Sequence, residues 1–124
     1  METKTVLAAL GALSQEHRLA IFRLLVEHGP KGLPAGAIAD RLKLPPATLS
    51  FHLKELAHAG LVASRQDGRF IWYRPQFGAM NGLVAYLTDN CCKASTSCES
   101  ACVPARAPRP VAVSIPSPRK RRSA

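Results

Sequence analysis

The chain has 124 residues with 17 Lys+Arg against 8 Asp+Glu, a formal charge of +9. That length allows one domain, and six of those positive charges (Arg106, Arg109, Arg119, Lys120, Arg121, Arg122) lie in an acid-free stretch after Cys102. The remainder is only mildly basic, so charge alone neither demands nor excludes a nucleic-acid partner, and residues 1–92 offer a modest core to which dimerisation would add buried apolar surface.

Lys4–Leu13 (KTVLAALGAL) is predicted as a first helix, apolar around most of its circumference. Such a helix needs cover on two sides, which suits a subunit interface. Its apolar run, Leu7–Leu13, is far too short to span a bilayer and lacks the flanks of a signal peptide. A cytoplasmic protein without a membrane partner is expected, and four cysteines in a reducing compartment are ligands or sensors more often than disulfides. Ser14 is the expected N-cap of a second helix, with Leu19, Phe22, Leu25 and Val26 inward and a stop at His28-Gly29-Pro30.

Residues 33–74 hold the organising motif. Pro34 opens a short helix that places Ile38 and Leu42 on one face. Lys43-Leu44-Pro45 breaks the pattern, because a residue before proline avoids helical dihedrals. Pro46 restarts it. Leu49, Leu53 and Leu56 then form an apolar stripe, and Gly60 stands where a left-handed cap belongs. Two alternating segments, 61–66 and 69–74, flank Asp67-Gly68, a favoured type I′ turn. The sum is a mainly α fold with a small β-hairpin, a winged helix-turn-helix.

Opposite the leucine stripe, the second helix of the pair points Ala47, Phe51, Lys54 and His58 outward, flanked by Thr48, Ser50 and His52. Hydroxyls reach phosphates or base edges, lysine reaches phosphate or guanine, and phenylalanine packs on a thymine methyl. Thr48, Ser50, Phe51, His52 and Lys54 are therefore expected to face the major groove, with half-burial of His52 the open alternative. Arg65 and Arg69, beside the hairpin turn, are expected near phosphates or the adjacent minor groove.

After Pro75, Phe77–Thr88 resumes helical spacing through Phe77, Met80, Leu83, Val84 and Leu87. Gly78 and Gly82 each cost about 1 kcal/mol against alanine, so this helix needs tertiary or dimer contacts. All four cysteines follow within DNCCKASTSCESAC, at Cys91, Cys92, Cys98 and Cys102. Thiolates select soft ions such as As(III), Sb(III), Cu(I), Cd(II) and Zn(II). Only Cys98 and Cys102 have a plausible zinc-knuckle spacing, since the first pair is adjacent. Neighbouring helical residues point about 100° apart, so if Cys91 and Cys92 continued the last helix, ion binding would have to unwind that turn. Three segments result: a dimerising winged domain over residues 1–92, a cysteine segment over 93–102, and a disordered basic tail over 103–124.

ATLSFHLKELAHAGLV resembles the recognition helix of the ArsR/SmtB family of metalloregulatory repressors, whose form is S-x-H-L-x-x-L-x-x-A-G-L-V. Ser50, His52, Leu53, Leu56, Ala59, Gly60, Leu61 and Val62 stand in that register. QDGRFIWYRP resembles the family's wing, and SQEHRLAIFRLL matches a structural hallmark, so the similarity spans roughly residues 3 to 92. It implies a homodimer, joined through the first and last helices, that represses its operon and leaves double-stranded operator DNA when a metal or metalloid binds. CC-x5-C after the last helix is similar to the arsenite-responsive members, which implies Cys91, Cys92 and Cys98 as ligands of As(III) or Sb(III), with Cys102 extra. The C-x-C-x-x-C of other arsenite sensors is missing at Gly36-Ala37-Ile38, and the Asp/His pairs of the zinc sensors are missing from the last helix. A Cd/Zn or thiol-redox-responsive repressor is the alternative, and a metal carrier that binds no DNA a further one. No enzyme constellation stands out: there are no paired carboxylates near a histidine, no phosphate loop and no nucleophile–base arrangement.

Overall fold

A computed structural model describes residues 1–94, in the order α1 (Thr3–Leu13), α2 (Glu16–His28), β1 (Leu33–Pro34), α3 (Ala35–Leu42), α4 (Pro46–His58), β2 (Val62–Asp67), β3 (Phe70–Pro75) and α5 (Phe77–Thr88). These elements form one unit, Met1–Thr88, and a second unit begins at Asp89. The expected class holds: five helices and a small sheet make a winged helix-turn-helix.

The core gathers one face from each helix: Val6 and Ala9 of α1, Ile21, Phe22 and Leu25 of α2, Ile38 of α3, Leu49, Leu53 and Leu56 of α4, and Leu83 of α5. Each fully buried large apolar side chain is worth about 1.5–3 kcal/mol, so α2 and α4, with three each, are the best anchored elements. In α2 the inward stripe is Arg18, Ile21, Phe22 and Leu25, at i, i+3, i+4, i+7. Leu19, expected inward, is 43% exposed, because the true stripe is rotated by one position and Ile21 fills the place.

Two helix starts differ from expectation. Ser14 closes α1, its hydroxyl donating to the Gly11 carbonyl, while Gln15 caps α2 by accepting from the Arg18 N–H. Only two residues separate the helices, so the extended conformation needed for an N-cap falls on Gln15. Pro34 is the N-cap of α3 rather than its first residue, because its extended backbone also pairs with β3. That pairing needs Gly32, where a β-carbon would collide with the Tyr73 carbonyl.

The turn between α3 and α4 is closed by Lys43 in the left-handed conformation (φ 56°), with the N–H groups of Lys43 and Leu44 both donating to Ala39. Gly60, at φ 80°, ends α4 as expected. The sheet is antiparallel with order β1-β3-β2. The hairpin pairs Asp67 with Phe70, which leaves Gly68 and Arg69 as the two turn residues. Gly68 alone has positive φ (64°). That is the pattern of a type II′ turn, with glycine first, not a type I′ turn over Asp67-Gly68.

Met1, just ahead of α1, lays its sulfur over Gly82 of α5, and a 2.8 Å hydrogen bond joins the hydroxyls of Thr3 in α1 and Tyr86 in α5. Their outer faces leave Leu7, Leu10, Val84, Tyr86 and Leu87 exposed. Among the described residues no helix is long and apolar enough to cross a membrane.

Candidate nucleic-acid interface

Helix α4 turns its leucines into the core and presents Ala47, Ser50, Phe51, Lys54 and His58 to solvent, with Thr48 half-buried at the edge. Phe51 is 56% exposed. A lone exposed apolar residue is ordinary, but here it stands between a serine and a lysine in the second turn of the helix that a winged fold offers to DNA.

His52 departs from the expected set. It is 7% exposed, one helical turn after Leu49 on the buried side of α4. Its Nδ1 lies 3.3 Å from a terminal nitrogen of Arg18. A guanidinium can only donate, so Nδ1 accepts and the ring proton sits on Nε2. Burial pulls the His52 pKa below 6.5, the positive Arg18 and His17 pull the same way, and Glu55 opposes them. The ring is therefore neutral at pH 7 and, in this arrangement, offers nothing to a groove. It packs 5.5 Å from the His17 ring and 5.4 Å, edge-on, from the Phe51 ring.

Arg18 is the residue that sequence reasoning passed over. Its Nε donates to the Ala12 carbonyl at 2.8 Å, so one guanidinium ties the end of α1 to the middle of α4. The available signal was a charged residue heading an apolar i, i+3, i+4, i+7 stripe.

On the wing, strand alternation puts Arg65, Asp67, Phe70, Trp72 and Arg74 on one face. The Arg65 guanidinium lies 5.0 Å from the Trp72 ring centre and 3.7 Å from the Asp67 carboxylate. Both groups of that ion pair are solvent-exposed, so the pair is worth at most about 1 kcal/mol and Arg65 can be recruited elsewhere at small cost. Arg69 sits exposed in the turn itself.

The cysteines are only partly in view. Helix α5 ends at Thr88, and residues 89–94 run in turns, with Asn90 at φ 60° and Cys92 at φ 62°. Cys91 and Cys92 thus do not continue the helix. With one of the pair left-handed, their sulfurs converge to 3.7 Å. Two thiolates each about 2.3 Å from one ion stand roughly 3.3–3.8 Å apart for bond angles between 90° and tetrahedral, so this pair has the bite for one soft ion. Cys98 and Cys102 lie outside the described residues. Among the described residues no group of three or more His, Cys, Asp and Glu side chains is placed to hold a metal.

Comparison with known proteins places the geometry. The profile described as "Helix-turn-helix domain" matches residues 13–65. Over 58 residues the chain is 45% identical to the uncharacterized HTH-type transcriptional regulator YceK of Bacillus subtilis (strain 168), covering 47% of this chain and 57% of that one. The chain thus spans less than two thirds of that relative's length. Among solved structures, an ArsR-like transcriptional regulator from Rhodococcus sp. RHA1 superposes with a TM-score of 0.60 at 31% identity, over 68% of this chain and 76% of that one. The homodimeric winged helix-turn-helix DNA-binding domain Mb0332 of Mycobacterium bovis, a possible ArsR-family regulator, gives a TM-score of 0.57 at 27% identity, over 77% and 89% of the two chains.

Proposed function

The chain belongs to the winged helix-turn-helix, ArsR/SmtB-like superfamily of transcriptional regulators, and from that premise we propose that it is a cytoplasmic homodimeric repressor released from its operator by As(III) or Sb(III). The observation that carries the DNA-binding half is the outward face of α4, where Ser50, Phe51 and Lys54 stand clear of a core that holds the same helix through three leucines. Thr48 joins them at the edge, and Arg65 and Arg69 of the wing supply positive charge for phosphates. The exposed apolar residues of α1 and α5 support a dimer through those helices, and the Mycobacterium bovis domain is described as homodimeric. A dimer sets two α4 helices against successive major grooves, about 34 Å apart.

The inducer half rests on the thiols. Cys91 and Cys92 supply two soft donors at a suitable separation, and Cys98 is the third ligand, with Cys102 in reserve. As(III) takes three thiolates and no fourth ligand, which fits this count. Because the chain has already left the helix at Thr88, capture of the ion requires no unwinding of α5. The thiols follow α5 directly in sequence, and α5 carries part of the proposed dimer face. A change there of about 1–3 kcal/mol in coupling lowers operator affinity 5–150-fold.

A gel shift with the DNA upstream of the chain's own gene, with and without arsenite, tests both halves. Retarded DNA that arsenite frees, and that Cys91→Ser holds despite arsenite, is the expected result. Arsenite binding without any retarded DNA would point to a carrier. Release by Cd(II), Zn(II) or a thiol oxidant, but not by arsenite, would replace the inducer.

A further inference from the structure

We infer that Phe51 reads the C5 methyl group of a thymine in each operator half-site. This rests on the DNA-binding reading above and deepens it by naming a base. Phe51 lies in the second turn of α4, in the N-terminal half of the helix, where recognition helices approach base edges. Its side chain has no donor and no acceptor. It therefore gains nothing from the N7, O6, O4, N6 or N4 positions that distinguish most base pairs, and nothing specific from a phosphate. The one apolar group on the major-groove edge is the thymine methyl. The minor groove, about 6 Å wide, does not admit a helix.

The ring also has a buried neighbour on one side. It meets the His52 ring edge-on, centroids 5.4 Å apart and planes at 61°. His52 is buried and bonded to Arg18, which is bonded in turn to the end of α1. A flexible exposed side chain would lose rotamer freedom on meeting DNA. Phe51 has few rotamers and a fixed neighbour, so it presents a preset apolar surface. Ala47, one turn earlier, continues that surface, while Lys54, nearly one turn later, provides the charge that holds the helix near the backbone. Discrimination of thymine from cytosine then comes from filling or leaving the space of one methyl group.

The test needs no variant to begin. A duplex selected from a random pool by the full-length chain is remade with each thymine in turn replaced by deoxyuridine, which removes the methyl and leaves pairing unchanged. At one position per half-site the affinity is expected to fall about four-fold, the equivalent of ~0.8 kcal/mol for one carbon returned to water. 5-Methylcytosine at that position should recover a similar factor over cytosine. Phe51→Ala should bind the thymine and deoxyuridine duplexes equally at that position. Indifference of the wild-type chain to every replacement, or full discrimination retained by Phe51→Ala, overturns the inference while DNA binding stands. Selection of no duplex at all overturns the DNA-binding reading itself.

Discussion

Arg18→Ala removes a strut that ties the end of α1 to the middle of α4. The guanidinium donates to the Ala12 carbonyl at 2.8 Å and faces the His52 Nδ1 at 3.3 Å. Hydrogen bonds from a charged donor contribute about 1.5–3 kcal/mol each. The second is long and both sites are part-buried, so the pair together should cost roughly 2–4 kcal/mol. With a urea slope of about 1–3 kcal/mol per molar for a small domain, the unfolding midpoint should move down by at least about 0.7 M. The assay is urea unfolding followed by circular dichroism at one protein concentration, since any dimer makes stability depend on it. The same network makes a pH prediction. His52 binds its proton less tightly folded than unfolded, so stability is full above pH 6.5 and declines as the pH falls below it. His52→Asn keeps an acceptor for Arg18 and removes the titration, so its pH profile should be flatter in that window. A midpoint unchanged in Arg18→Ala, together with identical pH profiles for wild type and His52→Asn, would show that Arg18 and His52 do not brace the fold.

Two further outcomes follow from exposed side chains and a third from the buried Gly32. Lys54→Ala should weaken binding to all duplexes alike and reduce the slope of log affinity against log salt by about 0.9, measured by anisotropy at several salt concentrations. Leu87 is 62% exposed, so Leu87→Glu should leave the helical spectrum unchanged while shifting sedimentation from dimer to monomer. Gly32→Ala forces a β-carbon into the Tyr73 carbonyl at φ 84°, and should lower stability by more than 1 kcal/mol in the same urea assay, loosening β1 from the wing.

What could be read from residues alone followed the strength of local periodicity. Leu49, Leu53 and Leu56 repeat at a helical interval and end at a glycine, so α4 and its outer face were legible. Strand β1 was not, because two residues carry no period; it exists through tertiary pairing with Tyr73 and Trp72. The hairpin turn slipped by one residue because Asp67-Gly68 and Gly68-Arg69 are both good turn pairs, and the pairing of Asp67 with Phe70 decides between them. His52 was ambiguous because a histidine at the edge of an apolar stripe is buried only if a partner awaits it. That partner, Arg18, lies 34 positions away. Leu19 was misplaced because α2 carries apolar residues on more than one face, so the wheel alone does not choose. The convergence of Cys91 and Cys92 depends on left-handed backbone at Asn90 and Cys92; asparagine adopts that conformation readily, but nothing about a cysteine announces it.

In the proposed complex the outward face of α4 lies against DNA. Ser50 is exposed on that face and makes no contribution to the core, so Ser50→Glu tests it with little effect on folding. A carboxylate there meets phosphates and base acceptors at close range, and like-charge contacts in an interface cost several kcal/mol. Anisotropy of a labelled operator duplex should show roughly a hundred-fold or greater loss of affinity, with an unchanged circular dichroism spectrum. Affinity within two-fold of the wild type would contradict the account.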